Sequence, residues 1–200
     1  MNQTVFVVDD DAAMRDALAQ LLETAGLQVE AHADGPAFLA AFDSIRWGCL
    51  LLDMAMPGMN GLEVQAALNA RGLSIPIIFL TGHGDIPMAV QAVKAGAVDF
   101  LEKPIQGAAL LERVQRALAL DQEWRHTLSR TQAIRQRYAS LTSRERECMA
   151  LAVSGHTSKE IARELGISPR TVEVHRTHVM HKMGAANMAE LVNMAACCMP

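Results

Sequence analysis

Cys49-Leu50-Leu51-Leu52-Asp53 is an apolar run of strand length that ends on a carboxylate and is followed at once by Met54-Ala55-Met56-Pro57-Gly58. A run without polar alternation is buried on both faces, so it predicts an inner strand of a parallel sheet. Whatever follows its last residue then sits at the carboxyl edge of that sheet, where doubly wound folds bind ligands. A second apolar strand, Val5-Phe6-Val7-Val8, ends in Asp9-Asp10-Asp11. If the two strands are neighbours, their ends bring several carboxylates together, and such a cluster needs a cation.

Outward from these strands, the chain from Thr4 to about Leu120 alternates strand and helix. Asp11 to Ala25 carries Met14, Ala17, Leu18, Leu21, Leu22 and Ala25 at helical spacing, closed by Gly26. Strands are predicted at Leu27–Ala31, Ile75–Leu80 and Val98–Leu101, and helices at Pro36–Phe42, Leu62–Ala70, Met88–Ala95 and from about Gly107. Five βα units predict a doubly wound α/β fold, a five-stranded parallel sheet with helices on both faces.

Composition sets the outer limits. Of 200 residues, 50% are hydrophobic and only 4% aromatic, which suits an ordinary globular protein with a substantial core. The apolar runs stop well short of the ~18 residues a membrane helix needs, and the amino terminus lacks the order of a signal peptide, so the expectation is a cytoplasmic protein without a membrane span. Cysteines at 49, 148, 197 and 198 form no C-x-x-C pair and no ligand spacing with the seven histidines, which predicts neither disulfides nor a zinc site. Residues 1–120 hold 7 basic against 14 acidic residues, and residues 121–200 hold 11 against 8. The first part is acidic and the second weakly basic, a split that favours two domains, the second able to approach a polyanion.

Residues 121–140 contain neither Gly nor Pro and carry Leu120, Trp124, Leu128, Thr131, Ile134, Tyr138 and Leu141 near a 3-4 spacing, which predicts a helical linker. Residues 141–200 read as four short helices. Thr142-x-x-Glu145, Thr157-x-x-Glu160 and Asn187-x-x-Glu190 have the form of capping boxes, Ser168-Pro169 that of a helix start, and Gly155 and Gly166 mark ends. Ile161-Ala162-x-x-Leu165-Gly166-Ile167-Ser168-Pro169-x-Thr171-Val172 therefore reads as helix, tight turn, helix, which can lay its second helix in a DNA major groove.

In the first domain Asp9 and Asp10, Asp53, Thr81 and Lys103 each end a strand and would share one sheet edge. Carboxylates, a hard cation such as Mg²⁺, a Lys and a hydroxyl are what phosphoryl transfer requires. Each acid alone has a bland reading as a solvated strand end or N-cap; the alignment of all of them argues for a site. His83 and Asp85 are read as loop residues. In the second domain Val172, Val179 and Met183 share one stripe of a helix over Pro169–Met183 and would face the core, leaving Arg170, Glu173, Val174, Thr177, His178 and His181 pointing elsewhere. Val174 suits a thymine methyl and Glu173 a cytosine amino group. Lys159, Arg170, Arg176 and Lys182 are candidate phosphate contacts, with Thr171 at the helix start.

The pattern Val8-Asp9-Asp10-Asp11, Asp53-Met54-x-Met56-Pro57-Gly58, Thr81-Gly82-His83 and Lys103-Pro104 resembles the receiver domain of two-component response regulators, which have a flavodoxin-like fold. Leu141-Thr-x-Arg144-Glu145 through Lys159-Glu160-Ile161-Ala162 to Arg170-Thr171-Val172-Glu173-Val174-His175-Arg176 resembles the LuxR/NarL-type helix-turn-helix. Their order, together with Thr81-Gly82-His83-Gly84-Asp85 and Ser168-Pro169-Arg170-Thr171-Val172-Glu173-Val174, is similar to the FixJ subgroup.

The resemblance implies a receiver over residues 1–120, the linker over 121–140 and a DNA-binding domain over 141–200. It implies that Asp53 accepts a phosphoryl group from a sensor histidine kinase. Mg²⁺ would be held by Asp10 and Asp53 directly, by Asp9 through water and by the backbone carbonyl of Ala55. Lys103 would pair with phosphoryl oxygens, Thr81 would hydrogen-bond one on moving inward, and Phe100 would follow it; Phe100 as plain core is the alternative. Val90 and Lys94 would lie on the face of a phosphorylated homodimer. Double-stranded DNA and RNA polymerase are the partners implied downstream. Ala55 departs from relatives that often carry a polar or basic side chain there, and that side chain bears on the lifetime of the phosphoryl group. A rival reading is an aspartyl-phosphate hydrolase, but Met54 and Ala55 supply no second acid, so any phosphatase action is expected to be slow and self-directed. Binding DNA without phosphorylation is a third reading.

Overall fold

The computed structural model describes residues 3–43, 45–82 and 86–198. The chain divides into two compact units, one up to Trp124 and one from Arg125 onward. Five parallel strands, β1 (Thr4–Val8), β2 (Gln28–His32), β3 (Gly48–Asp53), β4 (Ile77–Thr81) and β5 (Asp99–Glu102), stand in the order β2-β1-β3-β4-β5. The apolar run Cys49–Asp53 is thus the middle strand, and every residue of β3 is buried. β1 pairs with it directly, Val8 opposite Leu52, so their last residues share one edge.

Side-chain alternation along the strands separates two apolar layers. Phe6 and Val8 join Leu50, Leu52 and Phe79 on one face, covered by α2 (Gly35–Ala41), α3 (Gly61–Ala70) and α4 (Ile86–Lys94). Val5 and Val7 join Leu51, Ile78 and Leu80 on the other, covered by α1 (Ala12–Thr24) and the first turns of α5 (Gly107–Ala139). This is the doubly wound sheet the strand spacing predicts. Asp11 caps α1 through its side chain, accepting from the Ala13 and Met14 amides, and Asp34 caps α2. A capping box at Asn60 and Glu63 starts α3, of the same form as those further along the chain although it sits at the end of the Pro/Gly loop.

Residues 121–139 continue α5 without a break, its Leu110, Val114 and Ala117 in the sheet core and its Ile134 and Tyr138 in the core of the second unit. That second unit holds α6 (Ser143–Val153), α7 (Ser158–Leu165), α8 (Pro169–Met183) and α9 (Met188–Cys198). The boxes at Thr142/Glu145 and Thr157/Glu160 close in both directions. At the third, Asn187 accepts from the Glu190 amide, while Glu190 reaches back to the Ala186 amide instead of Asn187. Gly166 ends α7 at φ 68°, a left-handed conformation that a side chain would strain, and so permits the tight turn into α8. Among the described residues no helix is long and apolar enough to cross a membrane.

Candidate functional site: an acidic pocket and an exposed recognition helix

At the carboxyl edge of the sheet, ligand atoms of Asp9, Asp10 and Asp53 lie within 4.8 Å of one another. Strand register makes this happen, because β1 and β3 end side by side. Asp9 and Asp53 are buried and Asp10 is exposed. Lys103, just past the end of β5, donates from Nζ to Asp53 Oδ1 at 2.6 Å and to Asp9 Oδ2 at 2.8 Å. The other Asp9 oxygen accepts from the Asp11 amide, and Arg15 donates to the Asp9 carbonyl at 2.7 Å. Three carboxylates against one ammonium leave the pocket two negative charges in excess, and its donors are all hard oxygens. That set fits a hard divalent cation such as Mg²⁺, which takes one or two carboxylates and keeps several waters.

Burial pushes the Asp53 carboxyl above its ordinary range, against the bonds from Lys103 and from the Ala55 amide, which reaches Asp53 Oδ2 at 3.2 Å. Burial works against the charge of Lys103 as well, yet its two carboxylate partners outweigh that and raise its pKa. The Lys is therefore a fixed positive charge beside Asp53. Thr81, the last residue of β4, is buried, and its carbonyl accepts from the Lys103 amide at 2.8 Å. The strand-end residues Asp9, Asp10, Asp53, Thr81 and Lys103 thus meet at one edge, while His83 and Asp85 lie outside the described residues.

Phe100 corrects one expectation. It is 48% exposed, so it is not core: β5 is an edge strand, and only Leu101 among its four residues is buried. Val90, at 50%, Val93, at 49%, and Lys94 on α4 are also exposed, leaving apolar side chains on α4 and β5 open. Gly61 carries no signal in the sequence that marks it as part of the pocket. A Cβ there would meet the Asp53 carbonyl at 2.5 Å, so only glycine lets the start of α3 pack against the backbone of the pocket.

In the second unit Val172, Val179 and Met183 are the buried residues of α8, while Arg170, Thr171, Glu173, Val174, Thr177 and His178 are exposed. Val174 is 48% exposed, an apolar side chain presented among polar ones. Lys159 on α7 is exposed too. Lys182, expected at a phosphate, is instead ion-paired with Glu145 at 2.7 Å, and this pairing holds the nearly buried Glu145 carboxyl down at about 2. Arg176 is half-buried and donates to Ser158 Oγ at 3.2 Å; Ser158 in turn donates to Glu173. Neither Glu145 nor Ser158 carries a sequence signal beyond its helix start, because each partner is supplied by another helix.

Comparison with known proteins agrees with this geometry. The family model of the response regulator receiver domain matches residues 5–115, and that of the bacterial regulatory proteins of the luxR family matches residues 139–195. The transcriptional regulatory protein FixJ of Azorhizobium caulinodans is 48% identical over 191 residues, covering 96% of this chain and 90% of that protein. The response regulator protein TodT of Pseudomonas putida is 43% identical over 188 residues, covering 94% and 83%. Among solved structures, the response regulator StyR superposes with a TM-score of 0.88 at 44% identity, covering 98% of this chain and 99% of that one. Full-length FixJ from B. japonicum gives 0.61, also at 44% identity, over 98% and 96%.

Proposed function

The chain belongs to the FixJ-type transcriptional response regulators, a receiver joined to a LuxR-type DNA-binding domain, and on that premise we propose that Asp53 is its phosphoacceptor and that phosphorylation there controls dimerisation and DNA binding. The observation that carries the reading is the pocket itself: the buried carboxyl end of the central strand presents a carboxylate to two others and to Lys103.

A carboxylate oxygen of Asp53 attacks the phosphorus of a phosphohistidine on a sensor kinase, and the histidine nitrogen leaves with the P–N bond electrons. Mg²⁺, when bound, neutralises charge that develops on the phosphoryl oxygens. Asp10, whose exposed carboxylate is the least encumbered of the three, and Asp53 would hold it directly, Asp9, already committed to Lys103 and the Asp11 amide, would act through water, and the Ala55 carbonyl would complete the protein's share. After transfer Lys103 exchanges its Asp53 oxygen for a phosphoryl oxygen, and the Thr81 hydroxyl turns inward to donate to another. Met54 and Ala55, the residues that follow Asp53, supply no further acid to activate an attacking water, so self-dephosphorylation is slow, while the bare Ala55 side chain bears on how long the phosphoryl group lasts.

A phosphoryl group can switch the protein only by binding one conformation better than another. The exposed Val90, Lys94 and Phe100 are the surface we assign to the switch, with Phe100 following Thr81 and the apolar side chains of two copies burying one another. The dimer then presents two copies of α8 to double-stranded DNA and recruits RNA polymerase, in the cytoplasm. Phosphate contacts fall to Lys159, Arg170, Thr171 and Arg176, and base contacts to Glu173 and Val174 with Thr177 and His178 flanking them. Intact-mass measurement and light scattering, before and after acetyl phosphate with Mg²⁺, test the reading. One added phosphoryl group and a shift from monomer to dimer are expected, both lost in Asp53→Asn; full labelling of that variant would refute the site.

A further inference from the structure

Glu173 is placed at a base edge by the reading above, and the inference rests on that reading. A glutamate on an exposed helix face has three rotatable bonds, and a freely rotating carboxylate reads a base poorly because docking must first arrest it. Here it is not free. Ser158, the first residue of α7, donates its hydroxyl hydrogen to Glu173 Oε1, and Ser158 Oγ itself accepts from Arg176 Nη1 at 3.2 Å. One proton and one lone pair are both in use, so the hydroxyl is oriented from two sides.

The three residues are 15 and 18 positions apart in the chain and bridge the two helices of the helix-turn-helix. Thr157, immediately before Ser158, is the N-cap of α7, its hydroxyl accepting from the Glu160 amide, and Glu160 reaching back to the Thr157 amide. Ser158 therefore stands on a pinned helix start. On the α8 side Thr177 bonds back to the Glu173 carbonyl at 2.9 Å. The carboxylate is held at one oxygen by the hydroxyl, which leaves the other as acceptor.

We propose that Ser158 is a specificity-determining positioning residue: it holds the Glu173 carboxylate in the orientation that reads a base, without itself touching DNA. Its loss should widen which base is accepted at one operator position and leave affinity for unrelated sequences unchanged. Immobilising one flexible side chain corresponds to about three- to tenfold in discrimination.

The test uses the full chain with Mg²⁺ and acetyl phosphate, and selections from randomised duplexes at two salt concentrations for wild type, Ser158→Ala, Ser158→Thr, Glu173→Ala and the Ser158→Ala/Glu173→Ala pair. Ser158→Ala should flatten preference at the position that Glu173→Ala flattens, by about three- to tenfold, with the salt dependence unaltered. Ser158→Thr keeps the hydroxyl and should keep the preference; the double variant should be no worse there than Glu173→Ala. If Glu173→Ala flattens a position and Ser158→Ala does not, the positioning role is wrong while the base contact stands. If Ser158→Ala instead weakens binding to every sequence and lowers the salt slope, Ser158 is a phosphate contact and the proposal fails. If Glu173→Ala flattens nothing, the base-reading assignment has failed and the inference falls with it. Circular dichroism of each variant shows whether the helices are intact, and a melted Ser158→Ala with a folded Ser158→Thr of altered preference also overturns the proposal.

Discussion

The acidic pocket and the recognition helix put charged side chains to opposite uses. In the pocket Asp9 and Asp53 are buried and bonded to Lys103, so their charges act on each other at short range and weak screening. On α8 the candidate readers are exposed, and what order they have comes from neighbouring helices, through Ser158 and Glu145. Buried charge makes a site that discriminates by geometry of one small group. Exposed charge, in a solvent that screens it within about 10 Å, makes a surface whose affinity follows salt and whose specificity follows a few oriented side chains.

The largest expected effect separates the roles inside the pocket. Asp10→Ala should weaken Mg²⁺ binding by about a hundredfold and Asp9→Ala by about tenfold, since a direct ligand counts for more than one acting through water. Calorimetric Mg²⁺ titration of each variant reads this out. Equal losses would mean that the buried and the exposed carboxylate are equivalent ligands, and the contrast drawn between them would go.

Next in size is the split on the DNA side. Glu173→Lys replaces an acceptor suited to cytosine by a donor suited to guanine and should change the preferred operator by about 1–3 kcal/mol at the altered position. Lys159→Ala should weaken binding to all sequences and flatten the dependence of log K on log salt by about one unit. Lys182→Ala should leave that slope nearly as it is, because its charge is already matched by Glu145. Fluorescence anisotropy on specific and scrambled duplexes across a salt series distinguishes the three, and a slope change for Lys182→Ala as large as for Lys159→Ala would return that residue to the phosphates.

What could be read in the sequence follows the same division. Asp9, Asp10, Asp53, Thr81 and Lys103 were legible because each closes an apolar run, and parallel register converts that single property into shared space. The stripe of Val172, Val179 and Met183 was legible because a helix repeats every 3.6 residues. Contacts between helices were not. Lys182 and Glu145 are 37 residues apart, and nothing periodic brings them together. Phe100 was open between core and switch because a short apolar strand gives no sign of whether its neighbour exists on one side or both; among the described residues β5 pairs with β4 alone. Gly61 was hidden for a different reason: its role is the absence of a side chain where α3 meets the Asp53 carbonyl.

The smallest expected effect is the acid response of the second unit, and it probes the ion pair that the sequence did not disclose. Glu145 is held from its ordinary 4.5 down to about 2, first by the hydrogen bond from Lys182 and then by the Thr142 amide. A folded-state value below the unfolded one means that the unfolded chain takes up the proton first as pH falls. The pair's contribution is therefore complete above about pH 4.5 and is lost progressively as pH drops through about 2. Lys182 is 36% exposed, so solvent screens the pair, and its contribution is about 1–2 kcal/mol, less than the full shift implies. Carbon-detected NMR of the Glu145 carboxyl should give a midpoint near the depressed value, moved upward by Lys182→Met, while amide exchange in α6 quickens over the same acid window in the wild type and less in Glu145→Gln. A Glu145 midpoint at its ordinary value would break the pair. It would also free Lys182 for the phosphates, which ties this measurement back to the salt slopes: the two outcomes for Lys182 exclude one another, and either experiment decides which surface its charge serves.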